Sequence, residues 1–296
     1  MKKISAIVIL FICISTLYAQ ENIVSFDNKW TVDLSMNYSL LRFQQNELFN
    51  CLGHKPIGLT IGAKYKNFGG SYTFQLPFLT EYYQPFSETF DLEFDYFMEK
   101  FTASLSFTRY KSFYIDEIFK GSILNNDKKV NLEILSIGAS IRWVLNYRNH
   151  SLRGVYELNR QQKYSSGSFI IGLGVYYNSL YSDDLKLPLY ETKQHYVSLA
   201  VPLVGYSYSW IFGSGFFLNA DVMIGINNGL NFNNMKYEFM PSFFPNITLG
   251  MHQKTWSFSA SINAKVFISV QSIDNNFQWY QLTKISSTFF KISKRF

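Results

Sequence analysis

The stretch Trp30-Thr31-Val32-Asp33-Leu34-Ser35-Met36-Asn37-Tyr38-Ser39-Leu40 decides the fold. Its even positions are apolar or aromatic and its odd positions polar, the period of two expected of a strand with one dry and one wet face. FDLEFDYFME at 90–99 repeats the pattern, with Phe90, Leu92, Phe94, Tyr96 and Met98 set against Asp91, Glu93 and Asp95. WSFSASINAKV at 256–266 does so again: Trp256, Phe258, Ala260, Ile262, Ala264 and Val266 alternate with Ser257, Ser259, Ser261, Asn263 and Lys265. Weaker copies start near Ile57, Ser71, Phe101, Leu132, Ser151, Ser168, Val197, Phe216 and Phe239.

Composition says where such strands live. Aromatic residues make up 19% of the chain and charged residues 16%, against about 25% charged in ordinary soluble domains. Past the first twenty residues no apolar run approaches the ~18 residues that a helical span needs. In hydrocarbon every backbone N–H and C=O must be paired within the protein, which leaves a closed barrel. A soluble β-sandwich alternates too, but its wet face carries Lys and Glu, whereas here that face is Ser, Thr, Gly and Asn. The expected class is all-β: a transmembrane, antiparallel, up-and-down β-barrel.

Residues 1–19 read as a cleaved signal peptide, with Lys2 and Lys3, an apolar run from Ile4 to Leu17 and the small residue Ala19 at the cleavage site. The barrel domain is then 20–296. Losing Lys2 and Lys3 leaves 25 basic residues against 21 acidic ones, without the basic cluster that nucleic-acid binding requires. Cys13 leaves with the signal, so Cys51 has no partner for an intramolecular disulfide.

Connections come in two sizes, as in outer-membrane barrels with short periplasmic turns and long outer loops. Short ones are predicted at 67–70, 99–100, 146–150, 212–215 and 252–255, and long ones at 44–56, 79–89, 114–131, 179–194, 228–238 and 271–282. They alternate if 151–178 is one crossing, which gives about twelve strands; fourteen is the alternative. Residues 159–167 interrupt that crossing as a turn, a bulge or a segment tucked into the lumen. Trp30, Trp143, Trp210 and Trp256 all fall at the short-turn end, as an interfacial girdle requires.

At YSLLRF (38–43), LTIGAKYKNFGGSYTFQLPF (59–78), RYKSFY (109–114), SGSFIIGLGVYYNSL (166–180) and the terminal KRF (294–296) the chain resembles a family of uncharacterised outer-membrane β-barrel proteins, known as a domain of unknown function. The resemblance implies a signal peptide and an outer-membrane barrel in a Gram-negative envelope. It carries over no reaction, ligand or catalytic residue.

No catalytic, cofactor-binding or metal-ligating residue is assigned from the sequence. A Ser-His or carboxylate-His hydrolase needs a base beside its nucleophile. Of the four histidines, His150 and His252 fall in predicted turns, and His195 shares parity with the lipid-facing Val197 and Leu199; His54 or His195 would have to be the base. Asp91, Glu93 and Asp95 line one strand face as a hard-cation site would, or pair with the inward bases Lys64, Lys66, Arg142, Arg153 and Lys265. Gly172 and Gly174 lack the third glycine of a dinucleotide fingerprint and are expected to face the lumen. Tyr82, Tyr83, Pro85 and Phe86 form an aromatic outer loop that either closes the mouth or binds a sugar or partner.

These readings leave three roles open: a narrow or gated pore, a surface-exposed structural or interaction barrel, or an enzyme that modifies lipid or lipopolysaccharide. The expected partners are outer-membrane lipids and the barrel assembly machinery, the latter through a C-terminal closing strand that ends in Phe296. Inward Asp33, Glu93, Asp95, Arg142, Arg153, Glu157, Asp221 and Lys265 are expected to meet across the bore and fill it.

Overall fold

The computed structural model describes residues 22–26, 28–45, 49–53, 57–76, 88–118, 129–182, 193–213, 215–231, 237–274 and 277–296. The expected signal peptide, His54 and the aromatic loop at 82–86 lie outside them, and His195 is described by backbone alone.

A closed antiparallel wall is built from β2 (Trp30–Gln45), β4 (Ile57–Tyr65), β5 (Phe68–Gln75), β6 (Glu88–Phe97), β7 (Phe101–Ile118), β8 (Lys129–Val144), β10 (Ser166–Ser182), β11 (Lys193–Ile211), β12 (Phe216–Asn231), β13 (Tyr237–His252), β14 (Trp256–Asp274) and β15 (Phe277–Arg295). Each pairs with the next, and β15 pairs with β2 from Gln281↔Gln45 to Arg295↔Thr31, so twelve strands close with no open edge. Three further pieces complete the described chain: β1 (Ile23–Ser25), β3 (Phe49–Gly53) and β9 (Arg160–Gln162), together with the short helix α1 (Leu152–Tyr156).

Alternation sorts the side chains as the sequence required. Thr31, Asp33, Ser35 and Asn37 are buried inward, while Trp30, Val32, Leu34 and Met36 are exposed outward. Ile61, Phe94, Leu105, Ile137, Ile224, Ile247, Leu249 and Phe290 carry the exposed apolar surface around the wall. A continuous apolar belt of this kind is stable only in lipid.

The outer half of the wall departs from the expected pattern. Strands β4, β5 and β6 are short, 9, 8 and 10 residues. Nine tilted residues advance about 23 Å, close to the ~25 Å apolar band. Beyond that height β3, inside the predicted loop 44–56, pairs with β2 on one side and β7 on the other, so one strand replaces three. The remaining strands run 16 to 19 residues and extend into the predicted loops 114–131, 179–194, 228–238 and 271–282. The sequence pattern fades there because outward positions no longer meet hydrocarbon: on β7 the face that carries Leu105 and Phe107 continues as Arg109 and Lys111, which reach Glu133 of β8 at 2.7 and 4.0 Å.

A second departure concerns 145–165. The predicted short turn 146–150 and crossing 151–178 are instead a long connection folded into the turn end of the barrel, followed by β10. It contains α1 and β9, and β9 pairs with β1 of the N-terminal segment. The residues that enter the lumen are 150–158; 159–165 return along the turn end, where β9 pairs with β1 and Lys163, Tyr164 and Ser165 are exposed, and β10 begins at Ser166.

Ile262 is 62% exposed on the lipid face. Replacing it by Arg is expected to destabilise the inserted barrel by roughly 2–4 kcal/mol, with Ser259→Asn on the inner face nearly neutral. Equal losses in a membrane-folding titration would mean that the two faces are assigned the wrong way round.

Candidate functional site: the lumen segment and its clamp

Residues 150–158 enter the lumen as one turn of helix. Ser151 caps it, accepting a hydrogen bond from the Gly154 N–H at 3.2 Å, and Leu152, Val155 and Leu158 bury their side chains. Leu152 packs with Val144, Ile170, Leu203 and Met223, while Val155 and Leu158 pack on Phe217. Leu158 ends the turn at φ 58°, a left-handed conformation that usually selects Gly; here it keeps its side chain in the apolar contact.

So short a helix leaves its last carbonyls without intrahelical partners. Wall cations take them. The Lys291 ammonium donates to Tyr156 O at 2.9 Å, the Lys64 ammonium donates to Glu157 O at 2.9 Å, and the Arg295 guanidinium donates to Leu158 O. Positive charge at a helix C-terminus also complements the peptide dipoles. Asp33 holds both ammonium groups, at 2.7 Å from Lys64 and 3.3 Å from Lys291, and accepts from Ser293 at 2.5 Å. Asp33 and Lys291 lie on β2 and β15, the two strands that close the barrel.

The helix carries its own ion pair, Arg153 to Glu157 at 2.5 Å, with Glu157 fully buried. The same guanidinium donates to Asn67 Oδ1 and Lys66 O in the β4–β5 turn, both at 3.0 Å. Burial pushes the Glu157 carboxyl up, against Lys64 and Arg153, which favour its charge. On the far wall Tyr156 donates to Asp221 at 2.8 Å, and Asn219 and Asn246 donate to the same carboxylate at 2.9 and 2.8 Å. From below, Asn22 donates to Asn149 O and accepts from Tyr164 N, each at 2.7 Å.

The sequence placed several of these groups differently. Arg153 and Glu157 were expected to be inward strand residues; Arg153 sits on α1 and Glu157 is the residue that ends it. The expected pairing of Lys64 and Arg153 with the acidic row does not form, because Lys64 binds Asp33 and Arg153 binds Glu157. Asp91 and Asp95 instead accept hydrogen bonds from Thr108 and Ser104 of β7. Lys66 is an exposed turn residue at φ 55°, not a lumen cation. Gly172 and Gly174 do face the lumen, where the Tyr176 ring leaves no room for a Cβ at Gly174 or at Gly138.

Among the described side chains two His–Ser contacts exist, at His150 and His252. His150 Nε2 lies 2.9 Å from Ser207 Oγ, and His252 Nδ1 lies 3.1 Å from Ser257 Oγ. Both pairs are buried, and Ser207 donates onward to Asn219. The contacts serve packing: His150 anchors the start of the lumen segment, and His252 stacks on Phe217 with ring centroids 4.9 Å apart.

Compared with known proteins, residues 20–285 match the model of a family whose description is a domain of unknown function. No curated protein matches significantly. Among solved structures, the outer membrane protease OmpT from Escherichia coli is 10% identical with a TM-score of 0.41, covering 92% of this chain and 99% of that one. The translocator domain of the autotransporter NalP from Neisseria meningitidis is 11% identical with a TM-score of 0.49, over 100% and 96% of the two chains. The Pseudomonas putida toluene transporter TodX is 9% identical with a TM-score of 0.35, over 91% and 90%.

Burial lowers the His150 imidazole to about 4, below its ordinary ~6.5. The docked segment therefore holds His150 neutral while an undocked one takes up a proton as pH falls through 6.5. The stabilisation is complete above that pH and lost on the way down to 4, on the order of 3 kcal/mol in all; Glu157 opposes it in sign. Proteolysis within 145–165 is expected to increase sharply from pH 7 to pH 4 in wild type, and less so in His150→Asn. Identical pH profiles would show that another group governs docking.

Proposed function

From the premise that the chain belongs to the family described as a domain of unknown function (DUF4421), we propose that it is an outer-membrane barrel that acts as a narrow or gated pore held shut by its own lumen segment. The observation that carries this reading is the clamp: three consecutive carbonyls, of Tyr156, Glu157 and Leu158, each held by a cation of the wall. A segment with only a packing role has no need of three buried donors from two strands. The turn end, where both described termini lie, then faces the periplasm, and the long strands project outward. Export by the signal peptide at 1–19, and insertion through the C-terminal strand by the assembly machinery, belong to the same proposal.

A lipid-modifying enzyme has less support, since the two His–Ser contacts are sealed from both solvent and lipid.

Purified full-length protein in planar bilayers is expected to show small or rare conductance. Replacing 150–163 by a short Gly-Ser linker should give a large, steady conductance, and Lys64→Met with Lys291→Met should raise the open probability without removing the segment. A porin-like conductance in wild type, or an equally closed barrel after the replacement, would refute the gate.

Assembly is tested separately. Deleting Phe290–Phe296 removes the partners of residues 31–36 on β2 and the clamp residues Lys291 and Arg295. Heat-modifiable, protease-resistant barrel should disappear from the membrane fraction. Its persistence would mean that another strand closes the wall.

A further inference from the structure

The turn end carries a ring of exposed basic side chains that the lumen clamp does not use. Lys29 precedes β2, Lys66 lies in the β4–β5 turn, Lys100 in the β6–β7 turn, Arg148 after β8 and Lys254 in the β13–β14 turn, and all five are exposed. Lys294 of β15 joins them. Among the described side chains at this end, Glu99 is the one exposed acid, and Arg160 reaches it at 3.4 Å. The ring is therefore strongly cationic.

Its height is fixed by the aromatic girdle. Trp30 and Tyr65 have ring centroids 4.7 Å apart, as do Phe68 and Tyr96, and Phe101 lies 6.2 Å from Trp143. These outward rings mark where hydrocarbon gives way to headgroups. The Lys66 ammonium lies 5.3 Å from the Tyr65 ring, and the Lys294 ammonium 5.1 Å from Trp256 and 4.9 Å from Phe296. Cations stacked on boundary rings stand where lipid phosphates stand.

We infer that this ring is a binding belt for anionic phospholipid headgroups in the leaflet at the turn end. Which leaflet that is rests on the orientation proposed above; the preference for anionic lipid does not. Several fixed cations facing one phosphate layer attract lipids with net negative charge over zwitterionic ones, since a basic residue near such a surface gains affinity while its neighbours' charge stays uncompensated by acids. The same belt resists sliding of the barrel along the membrane normal, because moving it into hydrocarbon would desolvate every ammonium group at once.

The test uses the full chain folded into vesicles and quenching of tryptophan fluorescence by brominated lipids, because Trp30, Trp143, Trp210 and Trp256 all lie in this girdle. Trp279→Phe removes the fifth tryptophan. Brominated phosphatidylglycerol is expected to bind roughly five-fold more tightly than brominated phosphatidylcholine, the ratio that one lysine near an anionic surface supplies. The preference should vanish in 0.5 M salt, and in the variant Lys29→Gln, Lys66→Gln, Lys100→Gln, Arg148→Gln, Lys254→Gln, Lys294→Gln with quenching by phosphatidylcholine unchanged. Retained heat-modifiable mobility shows that this variant is folded. Equal affinity for both lipids in wild type, or an undiminished preference in the folded variant, overturns the inference. Wild type that shows no lipid preference but binds cell-wall fragments would assign the ring to a carboxylate-bearing wall polymer instead. Conductance is not read in this experiment, so failure of the gate and failure of the belt are distinguishable.

Discussion

A β-strand in hydrocarbon cannot leave its backbone groups unpaired, and everything else in this molecule follows from how that constraint is met at one seam. Strand β15 must find β2, the last strand pairing with the first of the wall. Fifteen facing positions close it. The pairing brings Asp33 of β2 within reach of Lys291 of β15 and Lys64 of β4. Inside the wall such an arrangement of charges would be costly if left incomplete, since a buried charge without a partner costs several kcal/mol. One carboxylate between two ammonium groups leaves a positive excess, and the carbonyls of α1 supply the remaining acceptors.

The seam and the lumen segment therefore depend on each other. A five-residue helix is too short to be stable alone, and its C-terminal carbonyls would be left without partners in a lumen closed to solvent at that level. The seam's cations satisfy them, and those carbonyls in turn keep the cations from facing Asp33 alone. Arg295 extends the same logic to the final residues: it donates to Leu158 O and to Ser257 at 2.6 Å while its guanidinium lies 3.7 Å over the Phe26 ring. The N-terminal segment, the C-terminal strand and the lumen segment meet at this one side chain.

How much of this was legible in the sequence follows from which face each residue meets. Parity at 30–40, 90–98 and 256–266 read correctly because hydrocarbon outside and a packed lumen inside impose opposite demands on alternate residues. The strand count survived for the same reason, and the tryptophan girdle fixed the turn end. Parity failed at Arg153 and Glu157, whose odd numbers suit an inward strand face as well as an i, i+4 helical ion pair. The signal that separates the two readings was present: Ser151 as a cap, then Leu152, Val155 and Leu158 at three-residue spacing. The clamp was not legible at all, because its acceptors are backbone carbonyls and any residue has one.

The clamp also dictates how the segment can move. Withdrawing α1 by a small step would separate Lys64 from Glu157 O while leaving Lys64 buried, and would pull Arg153 from Asn67 and Lys66 O while leaving its charge beside Glu157. Each intermediate position leaves a buried cation short of an acceptor, with only its ion pair, which costs more than the contact was worth. Complete withdrawal differs, because it admits water to the lumen, and water satisfies the cations of the wall and the carbonyls of the segment together. The energy is therefore high between two acceptable end states, docked with the clamp formed or released with its donors and acceptors hydrated. For the gate proposed above, a wall that places three donors on three consecutive carbonyls makes release a single event, not a graded one.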